Sequence, residues 1–260
     1  MDVNGLGGLN GLGVLITRPV EQADGLYRAV QSAGGHPLLF PALEIRGGGD
    51  PERLGELFDR LAEFSFGIFV SANAVRFSLP WFRAAGGVPS GMRLAAVGKA
   101  TARALERQLA VPDLLPEAGF DSEALLALPE LQQVAGQAIL ILRGEGGRSL
   151  LGDTLIERGA TVVYAELYQR GCPAVDATPL LESWDGVQVV TATSEELLEN
   201  LLRLFGTRGR AALLSKPLLV ISPRLAAHAR ERGFREVFQS RDPSDEAVLA
   251  ALEGYVQQLP

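Results

Sequence analysis

The sequence predicts an α/β protein of two related domains, each a parallel sheet covered by helices. Three observations lead there. Short apolar runs alternate with longer amphipathic stretches from Gly13 onwards, the rhythm of successive β-α units. The length of 260 residues allows one large domain or two of ordinary size. An internal repeat is also present: LITRPVEQADGLYRAVQSAGG (15–35) is similar to LILRGEGGRSLLGDTLIERGA (140–160). In each copy an Arg (Arg18, Arg143) follows the strand and a Gly stands sixteen positions later (Gly34, Gly159). Each copy also runs on into an additional extended segment, ALEIR or AELYQR. Chance likeness between two α/β units is the competing explanation of the repeat.

The elements follow in order. Residues 1–12 are Gly-rich and predict a disordered lead-in. Gly13–Thr17 reads as a buried strand. Val20–Ala33 reads as a helix, with Pro19 at a first-turn position and Gly34-Gly35 as its stop. His36–Phe40 is a second strand, and Ala42–Arg46 alternates apolar and polar residues before the breaker Gly47-Gly48-Gly49. Pro51–Glu63 is helical and Phe66–Val70 a strand, after which Ser71-Ala72-Asn73 opens a helix towards Ala84. Arg93–Val97 is a strand and Gly98–Gln108 a helix. The punctuated loop Pro112–Gly119 leads to a helix beginning near Asp121-Ser122. Ala138–Leu142 is a strand, Ser149–Arg158 a helix and Thr161–Arg170 a long extended run. Val187–Thr191 is a strand, and Thr193-Ser194 opens a helix to Leu204. Leu218–Ile221 is a strand, Pro223–Arg232 a helix and Glu236–Phe238 a short strand. The last helix is capped by Ser244.

Composition narrows the chemistry. Apolar residues make up 47% and charged residues 21%, which is ordinary for a globular chain with a sizeable core. The net charge is −7 and Lys and Arg form no run, so a nucleic-acid partner is not expected. With one cysteine, Cys172, and two histidines, His36 and His228, the chain has no intrachain disulfide and no ligand set for zinc. Neither histidine lies near Cys172 in sequence, which argues against a catalytic thiol. No apolar stretch approaches the ~18 residues that cross a bilayer. Asp2 and the lack of Lys or Arg before Arg18 do not resemble a signal peptide, so a cytoplasmic protein without membrane contact is expected.

In open α/β sheets, ligands sit beyond the carboxyl ends of the strands, where helix N-termini offer unpaired amides and a positive dipole end to anions. The strand-end segments here are Thr17-Arg18, Ser71-Ala72-Asn73, Gly98-Lys99-Ala100-Thr101, Arg143-Gly144, Thr193-Ser194 and Ser222-Pro223-Arg224. Each is explicable singly as a helix cap. Six ends carrying hydroxyls, glycines or cations predict a surface for an anionic small molecule. Gly144-Glu145-Gly146-Gly147 has Ser149 where the third Gly of a dinucleotide loop belongs, and Arg93 replaces the first Gly of a phosphate loop ending at Gly98-Lys99. No G-x-S-x-G elbow occurs. Tyr168, within the extended run, is a credible proton donor, since a phenol with a pKa near ~10 is protonated at neutral pH. The alternative is a tyrosine packed at a sheet edge.

Taken together, VLITRP (14–19), FVSANAVR (69–76), AAVGKATARAL (95–105), LRGEGGR (142–148), AELYQR (165–170), TSEELLENL (193–201), VISPRLAAHARERGF (220–234) and SDEAVLAAL (244–252) resemble the uroporphyrinogen-III synthase family in order and spacing. The likeness extends over essentially the whole chain from Gly13. It implies two flavodoxin-like (Rossmann-like) domains with parallel sheets, joined by a two-stranded linker. One domain would comprise 1–41 and 172–260, the other 48–163, and the linker 42–47 and 164–171. It implies a lyase that closes linear hydroxymethylbilane to uroporphyrinogen III with inversion of ring D, through an azafulvene and a spiro intermediate, without metal or organic cofactor. Tyr168 matches the tyrosine thought to assist departure of the hydroxyl. Arg18, Ser71, Ala72, Asn73, Lys99, Thr101, Arg143, Gly144, Thr193, Ser194, Ser222 and Arg224 fall at positions that would hold the substrate's carboxylates. Lys99-Ala100 and Ser222-Pro223-Arg224 lie in variable parts of the family's motifs. The resemblance further implies a monomer, in transient contact with the enzyme that makes the bilane. A non-catalytic two-lobed protein closing on a small anion is the main alternative. A flavodoxin-like flavin or nucleotide module, disfavoured by the missing phosphate loops, is the third.

Overall fold

The fold is described from a computed structural model over residues 8–119 and 121–259. The chain divides into two units: Met1–Glu44 with Gly171–Pro260, and Ile45–Arg170. The first unit is therefore assembled from both ends of the chain.

In the first unit the sheet order is β10-β9-β8-β1-β2, with β1 Gly13–Ile16, β2 His36–Leu39, β8 Val189–Ala192, β9 Leu218–Val220 and β10 Val237–Gln239. All four pairings are parallel. Counting strands within the unit, this is the order 2-1-3-4-5, in which the chain reverses direction between its first and third strands. Side chains alternate across the sheet. Val14 and Ile16 pack with α1 (Val20–Ser32) and α11 (Asp245–Val256), and Leu15 lies in the opposite cluster with Leu197, Leu201 and Leu225. That opposite cluster is covered by α9 (Glu195–Leu214) and α10 (Pro223–Glu231).

The second unit is built likewise. Its sheet order is β3-β7-β6-β4-β5, with β3 Glu44–Gly47, β4 Phe66–Phe69, β5 Arg93–Ala96, β6 Ala138–Gly144 and β7 Thr161–Gly171. Strands β5, β4, β6 and β7 are parallel neighbours. Ile139 and Ile141 of β6 face one cluster, with Leu125, Leu131, Leu151 and Leu155 of α5 (Ser122–Leu126), α6 (Pro129–Gln132) and α7 (Leu150–Glu157). Leu140 and Leu142 face the other, with Phe58, Phe82 and Leu105 of α2 (Pro51–Asp59), α3 (Ala72–Ala84) and α4 (Lys99–Gln108). The segments ALEIR and AELYQR supply β3 and the outer half of β7, which are neighbours in this sheet.

Helix starts follow the sequence closely because capping is local. Ser71, Ser194, Ser222 and Ser244 each accept a hydrogen bond from the amide three residues on, and Asp50 and Asp121 do the same for α2 and α5. Two expectations need correction and one an addition. The disordered lead-in expected over residues 1–12 lies outside the described residues as far as residue 7, but 8–12 are ordered. There Leu9 and Leu12 are buried, and the amides of Leu9 and Gly11 donate to the Ala33 and Gly34 carbonyls. The two leucines, three apart, gain more from burial than the flanking glycines lose in chain entropy. The helix expected to stop at Leu204 does end within a residue of it: Gly206, whose φ of 55° and ψ of −164° only glycine adopts readily, breaks the helical path, and a second helical stretch, not expected, runs on to Leu214. The helix expected over Pro51–Glu63 breaks at Arg60 into α2 and a single 3₁₀ turn, Leu61–Glu63. Two short helices, α6 and α8 (Thr178–Glu182), carry too few residues for a periodic signal. Among the described residues no helix is long and apolar enough to cross a membrane.

Candidate active site

Each unit reverses its winding between two central strands, and the loops after those strands hold most of the predicted site residues. In the first unit the strands are β1 and β8. They are locked together by threonines: Thr17 Oγ1 donates to the Thr191 carbonyl at 2.5 Å, and Thr191 Oγ1 donates to the Leu15 carbonyl at 2.9 Å. Both residues are buried, so these bonds form away from water and hold the strand ends in register. Arg18, immediately after, is also buried. Its guanidinium pairs with Asp245 in the first turn of α11 and donates to the Pro243 carbonyl at 3.0 Å. Its charge is thus matched inside the unit.

Thr193 and Ser194 begin α9, and the Ser194 hydroxyl accepts from the Leu197 amide at 3.1 Å. The amides of the first two helical residues, Glu195 and Glu196, have no partner within the helix. Ser222 caps α10 at 3.2 Å from the Leu225 amide. Because Pro223 lacks an N–H, this helix offers fewer donors than α9. Arg224, with an exposed side chain, meets Glu195 at 2.8 Å, bringing the starts of α10 and α9 together.

The second unit places its site between β4 and β6. The Ser71 hydroxyl accepts from the Ala74 amide at 3.1 Å, leaving the amides of Ala72 and Asn73 at the tip of α3. The start of α4 has Gly98 in the capping slot with nearly the same backbone angles, φ −157° and ψ 169° against −161° and 161° at Ser71. With no side chain to cap it, α4 presents the amides of Ala100 and Thr101. Lys99 is exposed, whereas Thr101 is buried, so Thr101 contributes its backbone.

After β6 the strand pairing slips between Arg143 and Gly144, so that Gly144 stands opposite Tyr168 of β7. A Cβ on Gly144 would lie 2.6 Å from the Tyr168 ring, which explains a glycine here. The Tyr168 ring is buried and stacked on Phe77 of α3, with centroids 5.6 Å apart at 20°. Its hydroxyl lies 2.9 Å from Ser71 Oγ. The Arg143 side chain folds over the following turn: Nε donates to the Gly144 carbonyl at 3.1 Å, Nη2 to the Gly147 carbonyl at 3.4 Å, and the guanidinium covers the Tyr164 ring. A cleft of about 250 Å³ lies beside this region, lined by Gly49, Asp50, Arg53, Leu54, Leu57, Tyr164 and Glu166.

A family profile described as uroporphyrinogen-III synthase HemD matches residues 24–250. This chain belongs to the uroporphyrinogen-III synthase family. It is 36% identical over 246 residues to the uroporphyrinogen-III synthase of Salmonella typhimurium, covering 93% of this chain and all of that one. It is 35% identical over 253 residues to that of Escherichia coli, again over 93% of this chain and all of the relative. A solved mutant uroporphyrinogen III synthase from Thermus thermophilus superposes with a TM-score of 0.60 at 19% identity, over 96% of this chain and 100% of that chain. The structural likeness establishes the two-sheet α/β fold of the synthases.

Within this synthase-family chain, the structure sets Ser71 and Gly144 each against Tyr168 and joins Arg224 to the start of the Ser194 helix. It directs Arg18 to Asp245 and Arg143 to its own turn. Sequence reasoning passed over Phe77, Thr191 and Asp245. The last had a local signal, an acidic residue in a helix first turn next to a serine cap, but no sign of its partner 227 positions away.

Proposed function

We propose that this chain catalyses ring closure of hydroxymethylbilane to uroporphyrinogen III, with inversion of ring D and loss of water, in tetrapyrrole biosynthesis. The observation that carries the reading, beside family membership, is the Tyr168 hydroxyl set against Ser71 at the carboxyl end of β4, where an α/β sheet takes its ligand. Tyr168 acts as the general acid. Its proton passes to the hydroxymethyl oxygen as the C–O bond breaks and water leaves, while the pyrrole nitrogen supplies the electron pair that forms the azafulvene. The substituted carbon of ring D attacks, the spiro intermediate fragments, and ring D recloses through its other α-carbon. The proton lost from that carbon, as aromaticity returns, restores the phenol. Electrons and protons balance with water as the sole by-product.

The remaining task is to hold a flexible polycarboxylate in one shape, the contribution that orientation makes to catalysis. The amides at the starts of α3, α4 and α9, with the hydroxyls of Thr193, Ser194 and Ser222, anchor carboxylates by short-range donors. Lys99, Arg143 and Arg224 add positive charge by exchanging present partners, Glu166 for Arg143 and Glu195 for Arg224, for substrate carboxylates. These donors act against a chain whose net charge of −7 repels anions at a distance. Residues 1–41 with 172–260 form one lobe and 48–163 the other, joined through 42–47 and 164–171, and each supplies its own anchors. The protein works as a cytoplasmic monomer, receiving the bilane from the enzyme that makes it.

The test supplies freshly made hydroxymethylbilane and resolves the oxidised products by chromatography. Excess type III isomer over a protein-free control supports the reading, and type I alone refutes it.

A further inference from the structure

We propose that Ser71 is a positioning residue whose hydroxyl donates to the Tyr168 oxygen as the phenol proton is transferred, which stabilises the ionised phenol. The proposal rests on the assignment of Tyr168 as the acid. A serine hydroxyl has one proton and two lone pairs. One lone pair of Ser71 is taken by the Ala74 amide, which can only donate. The 2.9 Å contact with Tyr168 then has two possible directions. If the phenol donated, Ser71 would accept twice and its own proton, on a half-buried side chain, would turn to solvent; once the phenol proton leaves, that hydroxyl is the donor within reach of the Tyr168 oxygen among the described residues. The phenol proton would also be tied up against the protein.

If Ser71 donates, the chain Ala74 N–H to Ser71 O–H to Tyr168 oxygen runs in a single direction, and each bond polarises the next. The chain begins at the positive end of α3, which favours negative charge on the phenol oxygen as its proton departs. The tyrosine ring is held separately, by the stack on Phe77 and by contact with Gly144, and the Arg76 guanidinium lies 4.5 Å from the Phe77 ring centre. Ser71 is therefore left to set the proton's direction rather than the ring's position. Nor does the fold require a hydroxyl in this slot, because Gly98 starts α4 with almost the same backbone angles.

The experiment titrates Tyr168 by tyrosinate absorbance in the substrate-free protein. In each Ser71 background the matching Tyr168→Phe spectrum is subtracted, which removes Tyr27, Tyr164 and Tyr255. Ser71→Gly is the main variant, because glycine is nearly as good a cap as serine. It should raise the Tyr168 pKa by about one unit, since the ionised form loses a donor. Ser71→Thr, which keeps the hydroxyl, should leave it in place. On the bilane, Ser71→Gly should lower kcat by roughly three- to tenfold with little change in KM, and Ser71→Thr should recover it. A downward or absent shift in Ser71→Gly overturns the proposal, and so does a raised KM with unchanged kcat, which would make Ser71 a carboxylate anchor. The titration needs no substrate, so wild-type protein that failed to make the type III isomer would refute the function alone. The support that Ser71 gives the ionised phenol would still be decided.

Discussion

Replacing Gly144 with alanine tests the site through its backbone rather than through its chemistry. The added Cβ would stand 2.6, 2.7 and 3.1 Å from three atoms of the Tyr168 ring. Ordinary carbon contacts are at ~3.5 to 4.0 Å, so the ring must retreat by about 1 Å. A retreat of that size is enough to strain or break the 2.9 Å bond to Ser71, because hydrogen bonds have little room beyond ~3.2 Å. Overpacking costs about 1–3 kcal/mol and the lost bond about 1 kcal/mol, giving a destabilisation of roughly 2–4 kcal/mol. In a unit of this size that lowers Tm by on the order of 10 °C. Turnover should fall at least as far as in Ser71→Gly, because the acid is displaced as well as its partner. Calorimetry, with product chromatography at a temperature where the variant is folded, reads both effects. Wild-type turnover from a folded Gly144→Ala protein would refute the claim that this glycine seats the tyrosine. An unchanged Tm would show that the ring yields without strain.

Other outcomes follow from the same contacts. Tyr168→Phe should slow turnover more than any single serine substitution, and full activity in steady-state assays would remove its catalytic role. Arg18→Met leaves Asp245, one third exposed, without its buried partner, and should destabilise the first unit by about 1–3 kcal/mol in urea unfolding. Phe82→Ala opens a cavity where Phe58 and Phe69 now pack, and should cost about 3–5 kcal/mol by the same measurement. Hydrogen bonds from the Ser244 hydroxyl, then its amide, hold the Asp242 carboxyl below the usual carboxylate range. A depressed pKa contributes stability above the unfolded value near ~4 that is lost as pH falls through the folded value. Asp242→Asn should therefore weaken the protein at pH 7 and shrink its loss of stability as the pH falls below about 4, as followed by thermal melts across that range.

What the sequence disclosed depended on range. Alternating faces on β1 and β6, and serine caps on α3, α9, α10 and α11, are decided within a few residues, and the elements followed from them. The slip between Arg143 and Gly144 is different: it pairs Gly144 with Tyr168, and no local pattern marks it. Tyr168 stood out as a phenol in an extended run, but its partner Ser71 lies 97 positions away. Arg18 had the look of an anion ligand because a cation after a strand is usually free, and only the returning chain brings Asp245 to it. The Gly-rich start concealed Leu9 and Leu12, since composition averages away a single apolar pair.

The way the first unit is assembled has a consequence for biosynthesis. Strand β1 lies between β2, which follows it closely, and β8, which begins at Val189, 150 residues after β2 ends at Leu39. At ~5–20 residues per second, a ribosome needs about 8–30 s to cover that interval. All of the second unit emerges meanwhile, so a unit that starts later in the nascent chain is the first able to fold. The amino-terminal β-α-β segment waits with one edge of its central strand unpaired, a period when chaperones or aggregation partners have their best access.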